Sequence, residues 1–584
     1  MIAGPPLPPL EVSTVNAALE RSARTGLGLV FVDAGEQERP MPWAEVRDRA
    51  QRIAGALATR GVRPGDRVAI VLPTGPDFMD AFFGTLLAGA VPVPLYPPVR
   101  LGRMDEYAHV TARMLEVSGA CIVLSDARVR LLLGGAVELA RPRFGCPTVA
   151  SLRDGAAPHE VAVQGSDLGL IQFSSGSTVA PKPVALTHHA LIAQVAALRA
   201  LLPVPAGSPS TGVSWLPLYH DMGLVGCLLE AMYYPGNLVL IPPELFLARP
   251  ALWLRALSRH HGIVSPAPNF AYGLCLKRLR DDDLAGLDLS HWRYALNGAE
   301  PVSHATRTRF ATRLAPHGFR AEALMPVYGL SECALAVTFT PSDGAKRTLS
   351  LDAATLAAQG RVVPGTRLVP SVGTPVPGAA VEVRDEADRP VAERVAGRVW
   401  VRAPFVMREY FGQPAATAEV IRDGWLDTGD LGFVDRGELF VTGRAKDVVI
   451  IRGANHAPQL FEEALEEVDG VRTGCAVAVG VVPADGDDEV LMLLVEHDGA
   501  ARAGLEARIA AAVIAHSGIA PHRVVVLAPG TLPRTSSGKL RRREALRQFT
   551  TGELRAPDAV TPWRIGAAMA RSLTGFARAL SRPG

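Results

Sequence analysis

Lysine is almost missing from this chain of 584 residues. There are five, Lys182, Lys277, Lys346, Lys446 and Lys539, and the other 55 basic residues are arginine. Arginine-rich codon usage accounts for the bias itself. Its corollary is that a surviving lysine marks a candidate place where a compact ammonium is needed rather than a planar guanidinium. Net charge is scarce too: 60 basic residues face 58 acidic ones, so no basic field argues for nucleic acid as a partner. Cysteine is sparse and scattered. Cys121, Cys146, Cys227, Cys275, Cys333 and Cys475 have neither metal-site nor redox-motif spacing, which predicts reduced packing thiols and a cytoplasmic protein. The start, MIAGPPLPPLEV, lacks the basic region and apolar core of a secretory signal. Long hydrophobic runs are also lacking. Ala81 to Val99 is uncharged, but Gly84, Gly89, Pro92, Pro94, Pro97 and Pro98 predict a helix end, a short buried strand and a turn instead of a membrane span.

What is present is an alternation of helical and strand patterns. VRDRAQRIAGALATRG (Val46 to Gly61) and FMDAFFGTLLAGA (Phe78 to Ala90) have helical spacing, and RVAIVLP, ACIVLSD, LVLIPPE and GIVSPAPN read as buried strands. This predicts an α/β fold with largely parallel sheets. After about residue 370, short strands with Gly-Pro and acidic-Gly turns are expected, as in RDGWLDTGDLGFVDRGELFVTGRAKDVVIIRG. From about Pro458 a small unit is predicted: helix LFEEALEEV, strands GCAVAVGVV and EVLMLLVEH, helix ARAGLEARIAAAVIAHSG and strand RVVVLAP. The polar junction Arg444–Asp447 is a hinge candidate. In the tail, Ile565, Met569, Leu573, Phe576 and Leu580 share one helical face, and Arg564, Arg571 and Arg578 recur every seven residues. Such a helix docks on its own protein, on a partner or peripherally on a membrane surface.

Four polar, glycine-containing segments interrupt the apolar pattern. IQFSSGSTVAPKPVALTHH offers the hydroxyls of Ser174, Ser175, Ser177 and Thr178, close backbone approach at Gly176 and the charge of Lys182, a set suited to polyphosphate oxygens. It is not a Walker loop, because G-x-x-x-x-G-K-[ST] is absent. MPVYGLSECAL supplies Tyr328 to stack on a base, Ser331 for a phosphate oxygen and Glu332 for Mg²⁺. GWLDTGDLGFVDRGELFVTGRAKDVV puts Asp430 at an expected turn, where its carboxylate can accept two ribose hydroxyls, and Arg444 after a second glycine turn. LPRTSSGKLRR holds Lys539 beside a Ser-Ser-Gly turn.

Taken in order from about residue 40 to 545, these segments resemble the adenylate-forming superfamily of acyl- and aryl-CoA ligases, luciferases and peptide-synthetase adenylation domains. SWLPLYHDMGLVG, SPAPNFAYGLC, LNGAEPV, VYGLSE and IRGANHAPQ resemble fatty acyl-AMP ligases in particular, as does the extra segment between Ala345 and Val369. The resemblance implies an N-terminal domain over 1–443 with two layered α/β sheets and a β-barrel-like subdomain. It also implies a mobile C-terminal α+β domain over 444–549 and a tail over 550–584. It implies ATP and Mg²⁺ as cofactors, a fatty acid as substrate, and an acyl carrier protein as partner; no carrier motif fits in the tail, so the carrier is expected in trans. By the same resemblance Lys539 bridges the substrate carboxylate and α-phosphate, and Lys182 with Ser174–Thr178 holds the outer phosphates. Glu332 carries Mg²⁺, Asp430 and Arg444 hold the ribose, and Tyr328, Gly329, Leu330 and Ser331 with Gly298, Ala299 and Glu300 frame the nucleotide. His220 lies near the acyl carbonyl, and Lys446 is the hinge. An acyl-CoA ligase and a non-catalytic homologue are the alternatives.

Three residues depart from the family pattern. The phosphate loop, usually T-G-x-P-K-G, has Val179 for the first glycine and Pro183 for the last, which predicts an altered loop. Ala457 stands where these ligases usually carry tyrosine.

Overall fold

Short, mostly apolar runs of four to six residues, too short for helices, fold here into buried strands. The computed structural model describes residues 1–98, 101–153, 157–174, 181–204, 210–342, 346–483, 488–499, 503–535, 538–557 and 561–581. A nine-stranded sheet has a parallel centre, in spatial order Leu324–Gly329, Tyr294–Gly298, Val264–Pro268, Thr211–Ser214, Asn237–Leu240 and Gly28–Val32. Antiparallel strands close its edges: Glu38–Pro42 at one side, Ala336–Phe339 and Thr374–Pro375 at the other. A second, parallel sheet comprises Val91–Leu95, Arg67–Val71 and Ala120–Ser125. Beside it packs the hairpin Leu168–Phe173/Pro183–Thr187, whose edge is extended by Glu409–Tyr410. Helix Pro76–Leu87 and strand Val91–Leu95 account for most of the long uncharged run. Among the described residues no helix is long and apolar enough to cross a membrane.

A third sheet, antiparallel and six-stranded, gathers Ile2–Ala3, Ala380–Arg384, Gly397–Arg402, Trp425–Asp435, Ile421–Arg422 and Glu438–Arg444. Here the structure corrects the expected series of short strands. One strand of eleven residues, Trp425–Asp435, runs through the DTGD segment with a bulge there, where Gly429 has φ of +72° and donates its N–H to Asp427 Oδ1 at 2.9 Å. Glu438–Arg444 pairs back along it, with a register shift between Leu431 and Gly432 that absorbs the irregular spacing. Asp430 is therefore inside a strand, paired with Arg444 at the end of the next, and neither residue sits at a turn. The turn is at Arg436–Gly437, where both residues have positive φ, as a two-residue hairpin loop demands.

Beyond Arg444 the chain forms a unit with its own core. Strands Val471–Val481, Val490–His497 and Arg523–Leu527 make its sheet, preceded by the hairpin Val449–Ile451/Ala454–His456. Strand alternation gives this sheet two apolar faces. Leu491, Leu493 and Val495 pack with Phe461 and Ile509 on one face, and Met492 and Leu494 with Leu532 and Ala545 on the other. The helix expected over LFEEALEEV is one α-turn, Gln459–Glu462, continued by a 3₁₀ turn over Glu463–Leu465. The segment 346–370 forms the hairpin Thr348–Leu351/Arg367–Pro370 around helix Ala353–Gln359. Leu351, Val362 and Val369 cover the stacked rings of Phe433 and Phe440, while Ala353 packs against the core of the C-terminal unit. The segment thus touches the antiparallel sheet and the C-terminal unit at once.

The tail helix, Pro562–Ser581, lies across helix Ala127–Ala140 of the N-terminal part. It is docked on its own chain, by a face that keeps Phe576 of the expected set but not Leu573. Ser572, Gly575, Phe576 and Ala579 face inward, and Leu573 is 57% exposed. The side chains of Arg564, Ile565 and Leu580 lie outside the described residues. The cause is close backbone approach: the Gly134 N–H donates to Ser572 Oγ at 2.7 Å, and a Cβ on Gly575 would stand 2.6 Å from the Gly134 carbonyl oxygen. Arg130 covers the Phe576 ring at 4.7 Å, and Arg578 reaches Glu138 at 3.4 Å. Gly575→Leu is expected to cost about 1–3 kcal/mol by overpacking. Thermal unfolding checks this, with Leu573→Ala as the exposed-face control that leaves the midpoint in place.

Candidate active site

The carboxyl ends of parallel strands form natural crevices in an open α/β sheet. Three strands end at one such place here: Thr211–Ser214 leads to His220, Tyr294–Gly298 to Glu300, and Leu324–Gly329 to Glu332. They surround a cavity of about 1000 Å³, counted with its open mouth. Its walls carry two kinds of side chain. Ser174, His220, Asp221, Tyr328, Ser331, Glu332, Thr428, Arg444 and Lys539 are polar, and Leu198, Leu202, Met222, Leu296, Val327, Leu335 and Phe339 are apolar.

Asp430 is held at both oxygens. The Tyr328 hydroxyl donates to Oδ2 at 2.7 Å, and Arg444 Nε donates to Oδ1 at 2.9 Å. The Asp430 carboxylate raises the Arg444 guanidinium above its ordinary value, and burial raises the Tyr328 phenol well above its own. Gly298 and Gly329 are required by space: a Cβ on Gly298 would meet the Val327 carbonyl oxygen at 2.8 Å, and one on Gly329 the Leu335 carbonyl oxygen at 1.8 Å. Ala299, between Gly298 and Glu300, has φ of +66°, a strained conformation for an alanine. Glu300 accepts the Phe270 N–H at 2.6 Å, and burial raises its carboxyl.

Lys539 enters from the C-terminal unit. Its loop is closed by the Lys539 N–H donating to Thr535 Oγ1 at 3.1 Å, and Arg534 ties it down by donating to the Gly538 and Gly474 carbonyls at 2.5 and 2.6 Å. Burial and then Arg444 lower the Lys539 ammonium, while Asp221, Glu300 and Asp430 pull it back up. Burial would raise Asp221, but His220, the Ser331 hydroxyl and Lys539 outweigh it and hold that carboxyl well below the usual range. One Asp221 oxygen lies 2.7 Å from His220 Nδ1 and accepts the Met222 N–H at 2.7 Å; the other accepts the Ser331 hydroxyl at 2.6 Å. Burial raises the Glu332 carboxyl, opposed by a hydrogen bond of 2.8 Å from the Tyr410 hydroxyl.

Of the residues singled out in the sequence, Ser174, His220, Ala299, Tyr328, Gly329, Leu330, Ser331, Glu332, Arg444 and Lys539 line this one cavity. Outside the lining, Gly298 packs on Val327, Asp430 bonds Tyr328 and Arg444, Glu300 holds the Phe270 N–H and Lys182 faces the Tyr410 ring; Lys446 is not among the lining residues. Ser175, Gly176, Ser177, Thr178 and Val179 lie outside the described residues. Pro183 turns out to be accommodated: it opens a strand, opposite Phe173, where a missing N–H is tolerated, and its carbonyl accepts the Phe411 N–H at 2.7 Å. Ala457 packs under Gly443, its Cβ 3.2 Å from where a Gly443 Cβ would stand. Asp221, Tyr410 and Thr428 were not singled out. Asp221 stood in plain view beside His220, whereas Tyr410 occurs in REYFGQP with no chemical signal around it.

Residues 19–411 match the pattern of the AMP-binding enzyme family, and the chain belongs to that family. A putative acyl-CoA synthetase of Caulobacter vibrioides is 35% identical over 92% of this chain and 96% of its own length. The long-chain-fatty-acid–AMP ligase FadD26 of Mycobacterium marinum is 34% identical over 87% of this chain and 91% of its own. Among solved structures, one from a study of fatty acyl-adenylate ligases of E. coli and L. pneumophila superimposes with a TM-score of 0.86 at 34% identity, covering 93% of this chain and 99% of that one.

Asp221→Asn removes a buried charge-assisted pair and is expected to cost about 2 kcal/mol. Because the folded-state carboxyl is depressed, its contribution is present above the ordinary carboxylate pKa and is lost as pH falls below it. Urea unfolding of wild type and variant should show a gap that is steady above about pH 4 and narrows below it.

Proposed function

We propose that this chain is a fatty acyl-AMP ligase: it activates a fatty acid with ATP, forming acyl-adenylate and pyrophosphate, and hands the acyl group to a carrier protein. The observation that carries the reading is a single cavity whose wall is partly apolar, suited to an acyl chain, and partly a charged cradle containing the half-buried Lys539. The relatives named as fatty-acid–AMP and fatty acyl-adenylate ligases support it.

The chemistry joins two anions. A carboxylate oxygen attacks the α-phosphorus, an O–P bond forms, and the bond to the β-phosphate oxygen breaks to release pyrophosphate. Aligning and neutralising these charges is what lowers the barrier. Lys539 bridges the acyl carboxylate and the α-phosphate; its compact, desolvated ammonium suits that crowded point. Ser174 to Thr178 and Lys182 hold the outer phosphates. Asp430, already gripped by Tyr328 and Arg444, presents acceptors to the ribose with Arg444 beside it. Tyr328, Gly329, Leu330 and Ser331 with Gly298, Ala299 and Glu300 frame the nucleotide. His220 faces the acyl carbonyl, its orientation set by Asp221. Glu332 suits Mg²⁺: it is a hard, half-buried oxygen ligand with one oxygen engaged by Tyr410. Bound there, the ion would offset phosphate charge.

Residues 1–443, 444–549 and 550–584 act as N-terminal domain, mobile C-terminal domain and tail, with Lys446 at the hinge. In the second step a carrier phosphopantetheine thiol attacks the acyl carbonyl, the thioester forms, AMP leaves and the thiol proton is released. The bridging segment 346–369, wedged against both the antiparallel sheet and the C-terminal unit, resists the rotation that free CoA would need. A cytoplasmic setting, where ATP and carrier proteins meet, fits this reaction.

Mass-spectrometric assay over fatty acids of graded length should yield acyl-AMP with little acyl-CoA when CoA is added. Efficient acyl-CoA release would favour an acyl-CoA ligase. Lys539→Ala should reduce acyl-AMP formation by at least about 100-fold while nucleotide binding by calorimetry persists; retained activity would remove Lys539 from the reaction.

A further inference from the structure

Two charges of opposite sign stand near each other at the phosphate side of the site, and one aromatic residue is interposed between them. Tyr410 lies on the two-residue strand Glu409–Tyr410, which pairs with Pro183–Thr187, the strand that leaves the phosphate loop. It is 4% exposed and held in place by backbone pairing with Val184 and by its N–H, which donates to Thr417 Oγ1 at 3.0 Å. Its hydroxyl donates to Glu332 Oε1 at 2.8 Å. Its ring face receives the Lys182 ammonium, 4.4 Å from the centroid. The carbonyl of Glu332 is fixed from the same neighbourhood, accepting the Met407 N–H at 2.7 Å.

We infer that Tyr410 is a positioning residue that keeps Glu332 and Lys182 apart and aims both, so that the carboxylate remains available to a divalent cation and the ammonium to phosphate oxygens. The inference rests on the proposed roles of Glu332 and Lys182 above. Its physical basis is that a half-buried lysine and glutamate held against one side chain are drawn into an ion pair unless something else satisfies each. Tyr410 satisfies them with different parts. The hydroxyl engages one carboxylate oxygen and leaves the other as a single, directed ligand atom. The ring face attracts the ammonium through its quadrupole without consuming any of its three N–H donors. The residue also ties Glu332, which follows a strand of the large sheet, to the hairpin that carries Lys182, so the two groups keep one spacing.

Two substitutions separate the two parts. Tyr410→Phe keeps the ring and removes the hydroxyl. Loss of such an outer hydrogen bond costs about 10–100-fold in metal affinity, so the Mg²⁺ concentration for half-maximal ATP–pyrophosphate exchange should rise by about tenfold or more, with the KM for fatty acid unchanged. Tyr410→Leu removes both parts and should in addition raise the KM for ATP. Mn²⁺ binding to the nucleotide-loaded enzyme, followed by electron paramagnetic resonance, gives a readout independent of turnover, with Glu332→Gln as the reference for a lost ligand and circular dichroism as the check on folding. Weakened Mn²⁺ binding in Tyr410→Phe, in the direction of Glu332→Gln, supports the assignment. A Tyr410→Phe enzyme with wild-type Mg²⁺ and Mn²⁺ dependence overturns it, as does unaltered Mn²⁺ binding in Glu332→Gln. Failure of the ligase reading looks different: wild type would show no fatty-acid-dependent exchange while the Mn²⁺ shift of Tyr410→Phe persisted.

Discussion

One half-buried ammonium organises this molecule. Lys539 belongs to the C-terminal unit, yet it lines a cavity built by the N-terminal sheets. An ammonium partly withdrawn from water needs compensating charge. Asp221, Glu300 and Asp430 compensate it, and each is fixed by other partners so that none collapses onto the lysine: Asp221 by His220 and Ser331, Asp430 by Tyr328 and Arg444, Glu300 by the Phe270 backbone. These carboxylates come from well-separated parts of the chain, after the strand Thr211–Ser214, after Tyr294–Gly298 and within Trp425–Asp435. Bringing them to one point requires the large sheet, the antiparallel sheet and the C-terminal unit to meet there. The electrostatics of one side chain thus depends on the packing of three sheets.

The same arrangement explains what could be read beforehand. Buried parallel strands announce themselves as short apolar runs, so the layered α/β body and the small C-terminal unit were visible in RVAIVLP, ACIVLSD and EVLMLLVEH. Residues whose chemistry is conspicuous among glycines and hydroxyls, such as Glu332, Tyr328 and Lys539, were visible as well. The scarcity of lysine helped: Lys182 and Lys539 stand at the site, while Lys277 merely closes the last turn of a helix and Lys346 reaches the Pro341 carbonyl. What stayed hidden depends on register and on distance along the chain. DTGD looks like a turn because aspartate and glycine favour turns; pairing with Gly397–Arg402 on one side and Glu438–Arg444 on the other makes it a bulge within a strand. Tyr410 gains its meaning from a lysine and a glutamate 228 and 78 positions away in sequence. The tail shows a third kind of miss: a helical wheel ranks faces by hydrophobicity, but Gly134 selects for small residues, and Leu573 gives way to Gly575.

The cavity has its share of the strain and close approach found along the chain. Ala299 takes a left-handed backbone, and Gly298 and Gly329 admit neighbouring carbonyls that any side chain would displace. Such positions trade local stability for a shape, and the fully packed strands around them hold that shape.

The tail has a topological effect beyond its packing on helix Ala127–Ala140. The chain enters the C-terminal unit at Arg444 and, after leaving it, returns to the body it came from. On the way Arg103 of that body donates to the carbonyls of Thr531 and Arg555 at 3.1 and 3.0 Å. A unit anchored at both ends is an insertion, not an appendage. In the domain rotation proposed above, the eleven residues from 551 to 561, about 40 Å at full extension, would set how far the unit travels while the last helix stays seated, and would keep the local concentration of Lys539 at the cavity high.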